Sequence, residues 1–213
     1  VMDLCLSCKG CKSECPSNVD VGKLKAEFQH QYQKTNGIPF RTKLITNFAK
    51  LNKLAVKAPW LYNLSFNTPL APIAKKMIGF HPKRSMPALS KQTVRGWYKK
   101  EYHKLQPGSP DMGSVYFFCE EFTEYNDGEI GITGIKLLRH LGFDVKLVDH
   151  EESGRTFLSK GVLDKAKIVA EKNVSKFSPL VNEKQPLVGI EPSAILTFRD
   201  EYPDLLRDEE KKK

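Results

Sequence analysis

Apolar residues recur at helical spacing early in the chain and as short strand-like runs alternating with helical segments after position 110, with a proline-broken stretch between them. Leu24, Phe28 and Tyr32 stand four apart, which puts them on one face of a helix. Ser17 or Asn18 can cap that helix, and Asn36-Gly37 can end it in a left-handed turn. A second, basic helix is expected over 42–57, with Leu44, Phe48, Leu51 and Ala55 turned inward. From Pro59 to Pro110 seven prolines forbid any long helix, so short helices joined by extended turns are expected. Trp60, Leu61, Leu64, Phe66, Ile73, Met77, Ile78 and Phe80 make this stretch apolar enough to pack. Ser90 is a candidate cap for one further helix running through Trp97 and Tyr98.

The pattern changes after Gly108-Ser109-Pro110. Val115-Tyr116-Phe117-Phe118 has strand composition, 130–141 reads as an amphipathic helix ending at Gly142, and Val145-Lys146-Leu147-Val148 is a second strand. A helix over 162–177, a strand over 187–190 and a helix over 194–206 complete the alternation. Strand and helix alternating at this spacing imply a small parallel sheet with helical crossovers. The expected fold class is therefore α/β: an N-terminal helical region, then a βαβαβα sheet covered by helices. Three regions are expected: a cysteine loop over 1–20, a basic, proline-rich connector over 21–110, and an α/β domain over 111–213. The charged tail, 207–213, is expected to fray.

Composition narrows the class without naming it. Forty per cent hydrophobic and 28 per cent charged residues are ordinary for a globular chain, and no apolar run approaches the ~20 residues of a membrane span. The net charge of +9 is concentrated in 41–104, where fourteen Lys or Arg face a single acid, Glu101. Such a surface is either solvated or meets anionic lipid or an acidic protein. Nucleic acid is not expected as a partner, because no recognised binding motif accompanies the charge. A chain that enters a cysteine motif directly after Val1-Met2-Asp3-Leu4 reads as a fragment of a longer parent.

Four of the five cysteines, Cys5, Cys8, Cys11 and Cys15, fall within eleven positions. Clustering of this kind argues for metal ligation in a reducing compartment, here taken as the cytoplasm, rather than cross-linking. The pattern C-x2-C-x2-C-x3-C-P is that of a ferredoxin loop, in which three thiolates bind one 4Fe-4S cluster and the cysteine before proline serves another. Zinc is the competing metal, but zinc sites usually separate two CxxC pairs by a longer loop. A second cysteine-proline motif, needed to complete the ligand set, is expected upstream in the parent. Lys9 and Lys12 either stabilise the reduced cluster or simply face solvent.

The run from Asp3 to Asp20, continued by Lys23-Leu24-Lys25-Ala26-Glu27-Phe28, resembles the iron–sulfur part of FAD-linked oxidoreductases related to D-lactate and D-2-hydroxyglutarate dehydrogenases. The C-terminal half resembles the cysteine-rich CCG domain of such enzymes, of heterodisulfide reductases and of the anaerobic glycerol-3-phosphate dehydrogenase subunit. Glu152-Ser153-Gly154-Arg155 sits where that family has Cys-Cys-Gly. Gly189-Ile190-Glu191-Pro192-Ser193-Ala194, with Arg199-Asp200-Glu201-Tyr202, matches its later Pro-Ser-Cys segment. Here Glu152 and Ser153 replace the paired cysteines, Ala194 replaces the later one, and Glu121 falls where the first-strand cysteine would be. Cys119 is expected as a buried core thiol. The resemblance implies the loss of the domain's own cluster, with FAD in an upstream domain.

Ligands of open parallel sheets bind beyond the carboxyl ends of the strands. Glu121, Glu152, Ser153, Arg155 and Ser193 are therefore expected to converge as a vestigial or anion site. Glu121, Glu152 and His150 are an alternative set for a hard metal, and a hydrogen-bonded relic is a third reading. Three functions follow. One is an electron-transfer segment of an FAD-dependent dehydrogenase acting on a 2-hydroxy acid, with an unidentified acceptor and a peripheral contact at the inner face of the membrane as a candidate. The others are a docking or oligomerisation module using the basic surface, and a zinc-stabilised interaction protein.

Overall fold

The computed structural model describes residues 2–66, 68–108 and 111–206. The cysteine loop carries one short helix, α1 (Gly10–Glu14), and leads into α2 (Val21–Asn36). The cap of α2 is neither Ser17 nor Asn18: the Asp20 carboxylate accepts the Lys23 amide at 3.2 Å. Gly37 ends the helix, but at φ 80° and ψ 163°, an extended conformation open to glycine and not the left-handed turn expected.

The basic helix expected over 42–57 is two, α3 (Phe40–Thr46) and α4 (Phe48–Ala55). They part at Asn47, whose side-chain amide donates to the Lys43 carbonyl at 2.7 Å and competes with the helical ladder. The proline-rich stretch forms short helices, including α5 (Pro59–Ser65) and α6 (Ala71–Met77). The next helix, α7 (Val94–Glu101), is capped by Thr93, whose hydroxyl accepts the Gly96 amide. Ser90 caps a different helix instead, accepting the amide of Gly128 at 2.9 Å.

The sheet has three parallel strands, β1 (Ser114–Phe117), β2 (Asp144–Lys146) and β3 (Leu187–Val188), in the order β2-β1-β3. Val115 pairs with Val145, and Phe117 with Val188. Burial on both faces of β1 makes it an unbroken apolar run, as a central parallel strand requires. Val115 and Phe117 pack with Val94 and Trp97 of α7 and with Ile132 and Ile135 of α9 (Gly128–His140). Tyr116 and the following Phe118 pack on the other side with Phe177, at the end of α11 (Leu163–Phe177), and with Ala194.

Two further helices were not expected: α8 (Glu121–Tyr125), directly after β1, and α10 (Arg155–Ser159), before α11. The single helix expected over 194–206 is divided into α12 (Pro192–Ile195), α13 (Thr197–Asp200) and α14 (Tyr202–Leu205). Pro203 has no amide to donate, and the Thr197 hydroxyl donates back to the Ala194 carbonyl.

The N-terminal helix lies on the sheet region. At Gly161 (φ 68°) an added Cβ would come within 2.5 Å of Gln29 Cβ and 2.9 Å of the Ala26 carbonyl oxygen, so α2 passes in direct backbone contact. Gln33 donates to the Lys160 carbonyl at 2.8 Å. The shared face of Leu24, Phe28 and Tyr32 on α2 is exposed, while Lys25 and Ala26 are buried. Of the residues expected inward on the next helix, Leu44, Phe48 and Ala55 are half-buried, with Phe48 against the Phe122 ring at 5.0 Å, whereas Leu51 is exposed and Asn52 is buried in its place.

Candidate functional site

The cysteine loop is built on unusual backbone. Among the described residues, the three non-glycine residues with positive φ all belong to it: Ser7 (55°), Lys9 (63°) and Asn18 (55°). Left-handed residues between right-handed ones turn successive amides to one side, an arrangement that collects around negative charge. The amides of Val19 and Ser17, and more weakly that of Asn18, hydrogen-bond to the Cys15 thiol and hold its pKa below the ordinary cysteine value. Cys8 and Cys11 are exposed, and Cys5 and Cys15 half-buried. In donor chemistry and spacing the four thiols fit an iron–sulfur cluster. Among the described residues, no three His, Cys, Asp or Glu side chains are already gathered around a metal position.

Behind this loop lies a charged dock. The ammonium of Lys25, 3% exposed, donates to the Cys5 carbonyl at 2.7 Å and to Ser7 Oγ at 3.2 Å. Glu201 Oε1 receives Lys9 Nζ at 2.6 Å and Arg155 Nη1 at 2.8 Å, and Arg155 Nη2 donates to the Ser7 carbonyl at 2.9 Å. Asp200 adds a second contact to Lys9 at 3.2 Å. Its pKa is pulled down to about 2, first by the neighbouring Arg199 and then by Lys9. Residues 148 positions apart in the chain, Ser7 and Arg155, thus close on the loop. Lys9 is an anchor here, and not a solvent-facing charge.

The vestigial residues do not all converge. Glu121, at the start of α8, and Ser153, just before α10, do: the Glu121 carboxylate accepts the Ser153 amide and hydroxyl, both at 2.8 Å. Both residues are buried. Tyr202 donates to the Ser153 carbonyl at 2.9 Å, and Asn173 to the Glu152 carbonyl at 3.0 Å. Arg155 points the other way, into the dock. Ser193 bonds only to Glu191 among the described contacts.

Glu152 borders a cavity of about 200 Å³ together with Glu121, Glu124, Cys119, His150 and Arg95. Burial, and then the Glu121 charge, push the Glu152 pKa up to about 7. His150 is held down at about 4 by burial and by Arg95. Its Nε2 accepts the Cys119 amide at 3.2 Å and its Nδ1 meets the Glu151 carbonyl at 2.6 Å, which places the proton on Nδ1. With both ring nitrogens engaged, His150 has no lone pair to give a metal, and the expected hard-metal set of Glu121, Glu152 and His150 is not assembled. Cys119 is buried as expected, and burial raises its pKa well above the usual value.

The dock partners Lys25 and Ser7 carry no sequence signal for their role. Glu201 falls in the Arg199-Asp200-Glu201-Tyr202 run singled out above, but its pairing across the chain is a property of the fold alone.

The four clustered thiols thus sit in a loop docked on a small α/β region, and the proteins the chain resembles are dehydrogenases. The chain is similar to D-2-hydroxyglutarate dehydrogenase of Escherichia coli (27% identity over 215 residues) and of Haemophilus influenzae (27% over 213). The Escherichia coli alignment covers 98% of this chain and 21% of the relative, so the chain spans about a fifth of the length of these dehydrogenases. It is also similar to an anaerobic glycerol-3-phosphate dehydrogenase subunit of Escherichia coli, at 27% over 201 residues, covering 92% of this chain and 49% of that relative. The similarity to D-2-hydroxyglutarate dehydrogenases and to the anaerobic glycerol-3-phosphate dehydrogenase subunit, expected from the cysteine run and the C-terminal half, is thereby borne out. No protein-family model matches the chain, and no solved structure does.

Proposed function

We propose that this chain is the iron–sulfur electron-transfer segment of an FAD-dependent dehydrogenase acting on a 2-hydroxy acid such as D-lactate or D-2-hydroxyglutarate. The observation that carries the reading is the cysteine loop itself, with its left-handed residues, its amides on Cys15 and its charged dock. Cys5, Cys8 and Cys11 would hold one 4Fe-4S cluster, and Cys15 would reach a neighbouring one. A bound cluster accepts and passes single electrons. The chain's own residues set its surroundings: amides near Cys15 stabilise thiolate charge, and Lys25, Lys9 and Arg155 fix the loop backbone.

The remaining ligands and FAD belong to upstream parts of the parent chain in this reading. The exposed stripe of Leu24, Phe28 and Tyr32 on α2, with Leu4 and Leu6 in the loop, is the surface that the second cysteine motif would cover. The segment works on the cytoplasmic side, in peripheral contact with the membrane, and the acceptor is unidentified. The cysteine-less C-terminal site is a hydrogen-bonded relic, in which Glu121–Ser153 replaces metal cross-linking and Arg155 serves the loop. The exposed apolar side chains of the basic connector favour one second reading, a docking or oligomerisation module without redox function.

Anaerobic reconstitution of a parent chain extended upstream separates the two. Visible charge-transfer absorbance that bleaches on reduction supports electron transfer, and a colourless protein after treatment with iron and sulfide contradicts it.

A further inference from the structure

The connector helices turn polar groups inward and large apolar ones outward, although Phe48 of α4 packs on Phe122 and Ala71 of α6 is buried. The α4 helix buries Asn52, which donates to Asn126 Oδ1 at 3.0 Å, and exposes Leu54. In α5, Asn63 faces inward, trading hydrogen bonds of 3.0 and 2.8 Å with the Leu89 backbone, while Trp60, Leu61 and Leu64 are exposed. Lys75 of α6 is buried and donates to the Arg84 carbonyl at 2.9 Å, while Ile73 and Met77 are exposed. Trp60 keeps 69% of its surface in solvent and Met77 81%. Polar groups anchored by hydrogen bonds on the inside, with large apolar groups outside, mark an interaction surface, because isolated exposure of this kind is otherwise scattered.

Charge identifies the occupant. Seven bases and no acid lie between Phe40 and Phe80. None of the ion pairs among the described residues involves any of these bases. Lys50 and Lys53 border the cavity that Glu121, Glu124, Glu151 and Glu152 line and Lys75 is buried, which leaves Arg41, Lys43, Lys57 and Lys76 to meet an outside anion. No helix of the described residues is long and apolar enough to cross a membrane. A basic, apolar face on short helices, with tryptophan among its exposed side chains, has the chemistry of a surface that lies in the headgroup region. Apolar side chains enter the acyl boundary there, lysine stems reach along it, and the ammonium groups meet anionic lipid.

We infer that α4, α5 and α6 seat this segment on an anionic lipid surface. The inference rests on the peripheral contact proposed above, but not on the cysteine loop, so vesicle binding by the apo chain reads it without any cluster.

The test is sedimentation of the 213-residue chain with vesicles of equal parts phosphatidylglycerol and phosphatidylcholine, against phosphatidylcholine alone. The expected result is binding about tenfold or more tighter to the anionic vesicles, lost at high salt, with a blue shift of tryptophan fluorescence. The shift reports Trp60, because Trp97 is already buried. The pair Trp60→Ser and Met77→Ser should weaken binding about tenfold, and Lys57→Glu with Lys76→Glu should remove the anionic preference. All four leave the buried Asn52 and Lys75 and the half-buried Asn63 in place, and unchanged circular dichroism confirms the fold. Equal, weak association with both vesicles overturns the inference. So does a stable dimer whose formation buries Trp60 without lipid, or binding that the Trp60 and Met77 substitutions do not alter.

Discussion

Replacing Glu201 by glutamine tests whether the charged dock holds the cysteine loop. The substitution keeps shape and volume but removes the charge that Lys9 and Arg155 share at 2.6 and 2.8 Å. Removing one partner from a buried ion pair costs about 3–5 kcal/mol. Here Glu201 is 7% exposed, but the side chains of Lys9 and Arg155 keep 27% and 20% of their surface in solvent. Water then relieves part of the loss, leaving about 2 kcal/mol. Because the contact joins loop to sheet region, the loss should appear locally. The loop amides of Lys12, Cys15 and Asn18, hydrogen-bonded at 2.9–3.1 Å, should exchange about thirtyfold faster in hydrogen–deuterium exchange. The amide of Phe118, bonded to Val188 at the sheet's centre, should keep its protection. Replacing Lys9, Arg155 and Glu201 together by methionine should cost less than Glu201→Gln alone, since no charge is left unpaired. Loop exchange within about threefold of the native chain would refute the argument, as would equal acceleration at Phe118.

Three other outcomes follow from the relic site and the helix dock. Glu152 has its pKa raised from 4.5 to about 7, so its stabilising contribution is full below pH 4.5 and is lost as pH rises through 7. Glu152→Gln should therefore raise stability above pH 7 by on the order of 2 kcal/mol, with the advantage fading as pH falls to 4.5, in urea unfolding at several pH values. A pH-independent difference would contradict this. Ser153→Ala leaves buried Glu121 short of a donor, and should cost about 2 kcal/mol and lower Tm by about 4–8 °C. An unchanged Tm would mean that the Glu121–Ser153 contact is not a cross-link. Gly161→Ala requires a left-handed residue and a Cβ 2.5 Å from Gln29 Cβ, so it should destabilise by more than about 2 kcal/mol and raise protease sensitivity between α2 and α3. Native-like resistance would show that the helix does not rest there.

The sheet was legible because its signals are local. Val115 to Phe118 is apolar throughout, as a strand buried on both faces must be, and Gly142 punctuates the helix before β2. The helix faces were not legible, because periodicity shows which residues share a face and not which face meets the core. In α2 the spacing puts Leu24, Phe28 and Tyr32 on one face without saying where it points, and Lys25 is buried instead because the Cys5 carbonyl and Ser7 hydroxyl satisfy its ammonium. The break at Asn47 depends on one side chain competing for a carbonyl, which composition does not reveal. At the candidate site, the cysteine spacing marked the loop, and the residues standing in place of thiols marked Glu121 and Ser153, which do meet. The redirection of Arg155 toward Ser7 and Glu201 joins residues too distant in sequence for any spacing argument.

The most direct test of electron transfer is the iron and acid-labile sulfide content of a parent chain extended upstream, purified anaerobically, beside its Cys15→Ser variant. The account predicts iron and sulfide in equal amounts in the native chain. In the variant both should fall, while the Phe118 amide keeps its protection. Stoichiometric zinc without sulfide, or an iron and sulfide content indifferent to Cys15, would contradict it.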